Sequence, residues 1–97
     1  MKRRNAEMLG DLVRQVMREE GLESPYNEYR LIHEAWPEVM GQGIVRYTGN
    51  LTIRNRVLYV QLRSSVLRQE LMAGRQSLVY RLNQFLGAQV IEHIVFN

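Results

Sequence analysis

The sequence contains no cysteine, and this absence excludes disulfide bonds, thiol catalysis and cysteine-ligated zinc. Its two histidines, His33 and His93, have no cysteine, aspartate or second histidine at metal-ligand spacing. Ser64 and Ser65 lack the elbow motif of a serine nucleophile, and we expect them to cap a helix. Paired catalytic carboxylates and a phosphate-binding loop are also missing. We therefore predict a protein that is not an enzyme, with no catalytic residue, metal or cofactor.

Long apolar runs are missing as well. No stretch approaches the roughly 20 apolar residues that a membrane-spanning helix needs. The basic start Lys2-Arg3-Arg4 is not followed by an apolar run, so it is not a secretory signal. We expect a cytoplasmic protein that does not bind membranes. The 97 residues suffice for a single domain, 1–97, in which residues 1–5 are expected to be disordered.

Acidic residues are scarce in the second half of the chain. Residues 41–97 contain seven arginines against two glutamates, a net charge of +5, whereas residues 1–40 contain six bases against eight acids, a net charge of −2. Arginine accounts for 12 of the 13 basic residues. Because arginine binds phosphate and carboxylate groups bidentately, this bias suits nucleic acid or an acidic protein partner. A genome rich in arginine codons would produce the same bias.

The first half predicts two helices. In the first, apolar residues recur at the i, i+3, i+4, i+7, i+8 spacing of an amphipathic helix, and Gly21 closes it. These residues are Leu9, Leu12, Val13, Val16 and Met17.

The second helix begins at Ser24-Pro25, with serine as N-cap and proline at the first helical position. One face of this helix is expected to carry Tyr29, Ile32 and Trp36, with Trp36 as a core anchor. Pro37 disfavours helical geometry at the preceding residue, so the helix should end or kink there. A further turn over Pro37–Met40 should stop near Gly41.

The second half predicts a complete β-β-α-β unit. It consists of a strand at Leu51–Arg54, a turn at Asn55–Arg56, a strand at Val57–Leu62, a helix from Ser65 to about Leu86, and a strand at Val90–Phe96. Because a strand–helix–strand connection is right-handed, the second and third strands should run parallel. In the last strand Val90, Ile94 and Phe96 should face inward, and Ile91, His93 and Val95 outward.

With a rotation of about 100° per residue, the side chains of the long helix fall on two distinct faces. Its predicted buried face consists of Leu67, Leu71, Gly74, Leu78, Leu82 and Phe85. Gly74 on this face should allow the helix to approach the sheet closely. The opposite face is polar but nearly uncharged and consists of Gln69, Gln76, Tyr80 and Asn83.

These landmarks, in this order, resemble the bacterial DciA-like family, which was long catalogued as a domain of unknown function. The matching residues are Trp36, Val39, Gly41, Leu51, Ile53, Leu58-Tyr59-Val60, Ser64-Ser65, Glu70-Leu71, Leu82-Asn83 and Ile94-Val95-Phe96. The resemblance implies an α+β fold with KH-like α-α-β-β-α-β topology, in which helices cover one face of a three-stranded mixed sheet. It also implies DNA binding and contact with the replicative helicase during helicase loading. The GxxG loop of RNA-binding KH domains is missing.

Two functions follow as hypotheses. The first is a DNA-replication adaptor that binds single- or double-stranded DNA. Its predicted contacts are Arg54, Arg56, Arg63, Arg68, Arg75 and Tyr59. Tyr59 is expected on the outer sheet face, where it could stack on a base or pack in a homodimer. The alternative is a protein-interaction module without a nucleic-acid role. Its predicted contacts are Gln69, Gln76, Tyr80 and Asn83.

Overall fold

The computed structural model of the chain describes residues 8–13, 15 and 23–97. Residues 8–13 are helical, as predicted for the first helix, whereas Val16, Met17 and Gly21 lie outside the described residues. The apolar side chains of this segment are exposed, namely those of Met8, Leu9, Leu12 and Val13. No helix in the described part of the chain is long and apolar enough to cross a membrane.

The second helix contains a π-helical turn before Pro37. It comprises α1 (Glu23–Arg30), a π-helical turn (Leu31–Ala35) and α2 (Trp36–Met40). Proline has no N–H to donate, and its ring crowds the carbonyl four residues earlier. The helix adopts a wider turn in which the Trp36 N–H donates to the Leu31 carbonyl. The predicted interruption at Pro37 is therefore a π-helical turn within the helix.

This turn changes which side chains of the helix are buried. Leu31, Ala35 and Trp36 are buried, whereas Tyr29 is exposed and its ring centroid lies 4.4 Å from that of His33. The prediction that Tyr29 shares the buried face was wrong. The reason is that a π-helical turn contains more residues than an α-helical turn and so shifts the phase of the helix. The predicted core anchor Trp36 is confirmed.

A short connection leads from α2 into the sheet. The helix ends at Gly41, whose φ of +82° lies in the region that favours glycine. One further helical turn follows, α3 (Gln42–Val45), which the sequence did not predict. The chain then enters the first strand.

Three strands form one mixed sheet in the order β1-β2-β3. They are β1 (Thr48–Arg54), β2 (Val57–Leu62) and β3 (His93–Phe96). β1 pairs with β2 antiparallel and β2 pairs with β3 parallel, so the predicted α+β class and strand directions are confirmed. β1 begins earlier than predicted, with a register irregularity between Thr48 and Leu51. Asn55 and Arg56, with φ of +50° and +65°, form the hairpin turn.

Gly74 divides the predicted long helix into α4 (Ser65–Ala73) and α5 (Arg75–Leu86). The predicted cap of α4 is confirmed, because the Leu67 N–H donates to the Ser64 Oγ at 3.2 Å. Gly74 itself is exposed, and a Cβ at this position would meet no atom within 4 Å. The predicted close approach of helix and sheet at Gly74 was therefore wrong. Its low helix propensity explains a break at this residue.

Gly74→Ala is expected to raise the free energy of unfolding by about 0.5–1 kcal/mol. The φ of −107° is accessible to alanine, there is room for the methyl group, and alanine reduces the entropy of the unfolded chain. Urea denaturation measures the change. The matched control is Gly87→Ala, which should destabilise because Gly87 closes α5 at a φ of +71°. A loss of stability in Gly74→Ala would contradict this account.

The core lies between the helices and one face of the sheet. Its buried residues are Leu31, Ala35, Trp36, Leu58, Val60, Leu62, Leu78, Leu82, Leu86, Ile91, Ile94 and Phe96. Leu67 and Leu71 of α4 are half-buried against this cluster. The predicted helices on one face of the sheet and the inward-facing Ile94 and Phe96 are thus confirmed.

The burial of two apolar residues, Phe85 and Ile91, differs from the prediction. Phe85 is exposed and Leu86 is buried instead, because the helix restarts after Gly74 and the buried face of α5 is rotated toward Val79. Ile91 was predicted to face outward but is fully buried. β3 begins only at His93, so Ile91 belongs to the loop before the strand and does not follow strand alternation.

Candidate nucleic-acid interface

The sheet face away from the core is termed the open sheet face. Strand alternation brings eight side chains to it: Asn50, Thr52, Arg54, Val57, Tyr59, Gln61, His93 and Val95. The register places Tyr59 of the central strand between Thr52 on β1 and Val95 on β3. None of the eight is acidic. The open sheet face therefore combines polar, apolar and cationic groups without a carboxylate.

Arg54 and Tyr59 form a pair on this face. The two residues are diagonal neighbours on adjacent strands, since Thr52 is the direct partner of Tyr59 and Val57 that of Arg54. The Arg54 guanidinium carbon lies 4.9 Å from the centroid of the Tyr59 ring, within cation–π distance. The structure thus brings together two of the predicted nucleic-acid contacts.

Arg56 lies beside this pair at the hairpin turn. Its Nη2 donates to the Gln89 carbonyl at 2.8 Å, and its Nε lies 3.7 Å from the Glu92 carboxylate. Arg56 is therefore the one predicted contact with a neighbouring acid in the described part of the chain, and its side chain is half exposed. Arg54, Arg56 and Tyr59 are termed the hairpin cluster.

A second group of arginines lies at the other end of β2. Arg63 donates through Nη2 to the Arg46 carbonyl, and Arg68 donates through Nη2 to the Leu62 carbonyl at 3.3 Å. The Nε of Arg68 is buried without a hydrogen-bond partner. Arg46, Arg63 and Arg68 are termed the helix-start cluster, because Arg63 contacts the Arg46 backbone and Arg68 contacts the end of β2, just before α4 begins. The six residues of β2 separate the two clusters by about 20 Å.

Two arginines show where sequence reasoning was incomplete. Arg46 was not predicted as a contact, although it contributes to the positive charge of residues 41–97. Its proximity to Arg63 depends on α3 and on the early start of β1, neither of which the sequence pattern indicated. Arg75 was predicted as a contact, but it follows α4, about 15 Å along the chain from the helix start. It joins neither cluster.

Most of these arginines are not neutralised. Among the described residues, the two ion pairs are Arg30–Glu34 and Arg56–Glu92. Six of the seven arginines in residues 41–97 thus have no carboxylate of a described residue within 4.0 Å, and they are Arg46, Arg54, Arg63, Arg68, Arg75 and Arg81. Unpaired cations at a surface produce a positive potential that attracts phosphate groups.

The predicted uncharged face of the long helix is only partly present. Gln69, Gln76 and Tyr80 are exposed, but Asn83 is buried, so its predicted position on the outer face was wrong. Its Nδ2 donates to the Ile91 carbonyl at 2.9 Å, and its Oδ1 accepts from the N–H groups of Val90 at 2.9 Å and Ile91 at 3.2 Å. Asn83 holds the loop that precedes β3.

An open groove of about 490 Å³ lies beside α5 and this loop. Gln76, Val79, Tyr80 and Gln89 are among the residues that line it. The Tyr80 hydroxyl accepts a hydrogen bond from Gln84 Nε2 at 2.9 Å. Of the predicted partner contacts, Gln76, Tyr80 and Asn83 line the groove and Gln69 does not. In the described residues, no group of three or more His, Asp or Glu could hold a metal ion.

A protein-family model with the description Dna[CI] antecedent, DciA matches residues 8–96. Comparison with curated proteins gives no match, and comparison with solved structures gives none either. The matched range includes all three strands and both arginine clusters.

Proposed function

The chain belongs to the DciA family, and from this premise we propose that it is a cytoplasmic, non-enzymatic adaptor that binds DNA and contacts the replicative helicase. The family implies a helicase-loading role in DNA replication. The confirmed family resemblance is what supports the replicative helicase as a partner. DNA binding is supported by the surface of this chain.

The observation that carries DNA binding is the pair of arginine clusters flanking an acid-free sheet face. Arg54 ends β1 opposite the first residue of β2, and Arg63 follows the last residue of β2. Neither has a carboxylate partner among the described residues. Arg63 contacts the Arg46 carbonyl and Arg54 contacts the Tyr59 ring. These contacts position both side chains at the surface without neutralising their charge. Two cationic groups about 20 Å apart can contact separate phosphates of one strand. Such contacts carry no sequence information, so we expect weak, sequence-independent binding.

The double variant Arg54→Gln/Arg63→Gln is expected to bind DNA about tenfold more weakly at low salt than the parent protein. Its log–log salt slope should fall by about 0.7 per lost contact on single strands and about 0.9 on duplex. Fluorescence polarisation with labelled single-stranded and duplex DNA at several salt concentrations measures both quantities.

A closely matched control is the double variant Arg30→Gln/Arg81→Gln. Arg30 lies over the Tyr26 ring at 5.9 Å, as Arg54 lies over Tyr59, and Arg81 donates to the Val39 carbonyl, as Arg63 donates to that of Arg46. Both variants lose two positive charges, one cation–π contact and one hydrogen bond to a carbonyl, and the control also loses the Arg30–Glu34 ion pair. Equal weakening by the two variants, or a parent protein that binds neither DNA at low salt, would contradict the proposal.

The groove beside α5 favours a second candidate function, a protein-interaction module. Gln76 and Tyr80 present uncharged polar surface there. An interface of this kind should barely respond to ionic strength, whereas phosphate binding weakens steeply with salt. Pull-down of proteins from the native host at two salt concentrations, with Tyr80→Ala as the test variant, distinguishes the two functions.

A further inference from the structure

The open sheet face has one aromatic side chain among its described residues, Tyr59. The ring occupies the central strand and is half-buried, so its position is defined by neighbours on both sides. On β3, the exposed Val95 lies directly opposite. On β2, the half-buried Val57 lies on the same face two residues away. Tyr59, the aromatic member of the hairpin cluster, therefore belongs to a small surface with apolar and aromatic character.

We infer that the open sheet face binds single-stranded nucleic acid in preference to duplex, with one base stacked on the Arg54–Tyr59 pair. The strand runs along β2, and its phosphates contact the hairpin cluster at one end and the helix-start cluster at the other. This inference rests on the proposed DNA binding and adds the form of the nucleic acid and the role of Tyr59.

Charge and chemistry together identify the occupant. A purely electrostatic surface would need arginines only, whereas in the hairpin cluster the planar Arg54 guanidinium lies over an aromatic ring. Bases stack on both kinds of plane, and each base of a single strand offers such a surface. The absence of carboxylates among the eight side chains of the open sheet face removes repulsion along the path of the phosphates.

The width of the sheet disfavours a duplex. The major groove of B-DNA is about 12 Å wide and admits a helix or a two-stranded ribbon. A three-stranded sheet with helices on its back is broader than either element. The minor groove, about 6 Å wide, is narrower still. An undistorted B-form duplex could therefore offer only its phosphates to this face, and Tyr59, Val57 and Val95 would contact no base.

Tyr59→Leu tests the inference because it removes the ring and keeps an apolar side chain. We expect it to weaken binding of the oligonucleotide dT12 by roughly 5- to 100-fold, the range observed for loss of one stacked base. The same variant should bind an abasic strand of equal length, and a 12-base-pair duplex, within twofold of the parent protein. Tyr59→Phe retains the ring and should bind dT12 like the parent. Tyr26→Leu is the matched control, because Tyr26 is exposed and lies under the Arg30 guanidinium, and it should bind dT12 like the parent.

Thermal denaturation establishes that each variant is folded, and Arg54→Leu serves as a second variant that removes the outer plane of the stack. If Tyr59→Leu and the parent bind dT12 equally, the inference is overturned while the proposed DNA binding stands. Equal losses on dT12, the abasic strand and the duplex overturn it in the same way. If the parent sediments as a dimer and Tyr59→Leu as a monomer, without selective loss of dT12 binding, the ring belongs to a homodimer interface instead. A parent protein that binds no nucleic acid overturns both proposals.

Discussion

Trp36→Ala is expected to lower the free energy of unfolding by about 3–5 kcal/mol, the range for removing a large aromatic side chain from a core. Trp36 is 1% exposed and lies where the second helix meets the sheet. Its Nε1 donates to Thr48 Oγ1 at 3.2 Å, and that hydroxyl donates to the Ile44 carbonyl at 2.8 Å. Removal of the indole leaves a cavity and also breaks the hydrogen bond that links α2 to β1.

Denaturant titration followed by circular dichroism measures this loss, since the variant has no tryptophan left for fluorescence. Trp36→Phe keeps most of the volume but loses the hydrogen bond, so it should be destabilised less than the alanine variant. Tyr29→Ala is a control on the same helix, and its exposed ring should contribute within about 0.5 kcal/mol. A loss below about 1.5 kcal/mol in Trp36→Ala would contradict the central position assigned to this residue.

Asn83→Ala is expected to lower the free energy of unfolding by about 2–3 kcal/mol, because it removes the hydrogen bonds that the amide makes to the buried N–H and carbonyl of Ile91. The amide of Asn83 satisfies one carbonyl and two N–H groups of Val90 and Ile91, and Ile91 is fully buried. Urea denaturation measures the loss. Gln76→Ala removes an exposed amide from the same helix and should stay within about 0.5 kcal/mol of the parent. If both variants lose equally little, the loop before β3 does not depend on Asn83.

The strands and their directions follow from the sequence because their determinants are local. Alternation at Leu58–Leu62 fixes which face of β2 is buried, and the two-residue turn at Asn55–Arg56 fixes the hairpin. The parallel direction of β3 follows from the handedness of the crossover. These patterns are enough to predict the order and directions of the strands. They also predict the acid-free sheet face on which Arg54 and Tyr59 meet.

The predictions that were wrong depend on features that hydrophobic periodicity does not contain. A helical wheel drawn through Gly74 assumes one continuous helix, so it misplaced Phe85 and Asn83 once the helix was interrupted. Hydrophobic periodicity cannot show that a polar residue is buried, because the partners of Asn83 lie seven and eight residues ahead in a loop. The proximity of Arg46 to Arg63 similarly requires the structure, since 17 residues separate them in the chain.

The hairpin turn places positive charge and backbone stability in opposition at one residue. Arg56 has a φ of +65°, a conformation that costs a residue with a side chain roughly 1–2 kcal/mol and costs glycine almost nothing. Its hydrogen bond to Gln89 and its ion pair with Glu92 offset part of that cost. Glycine would suit the backbone of the turn better, but it would remove a cation from the hairpin cluster. Selection for a more stable hairpin and selection for a more cationic tip therefore favour different residues at this position.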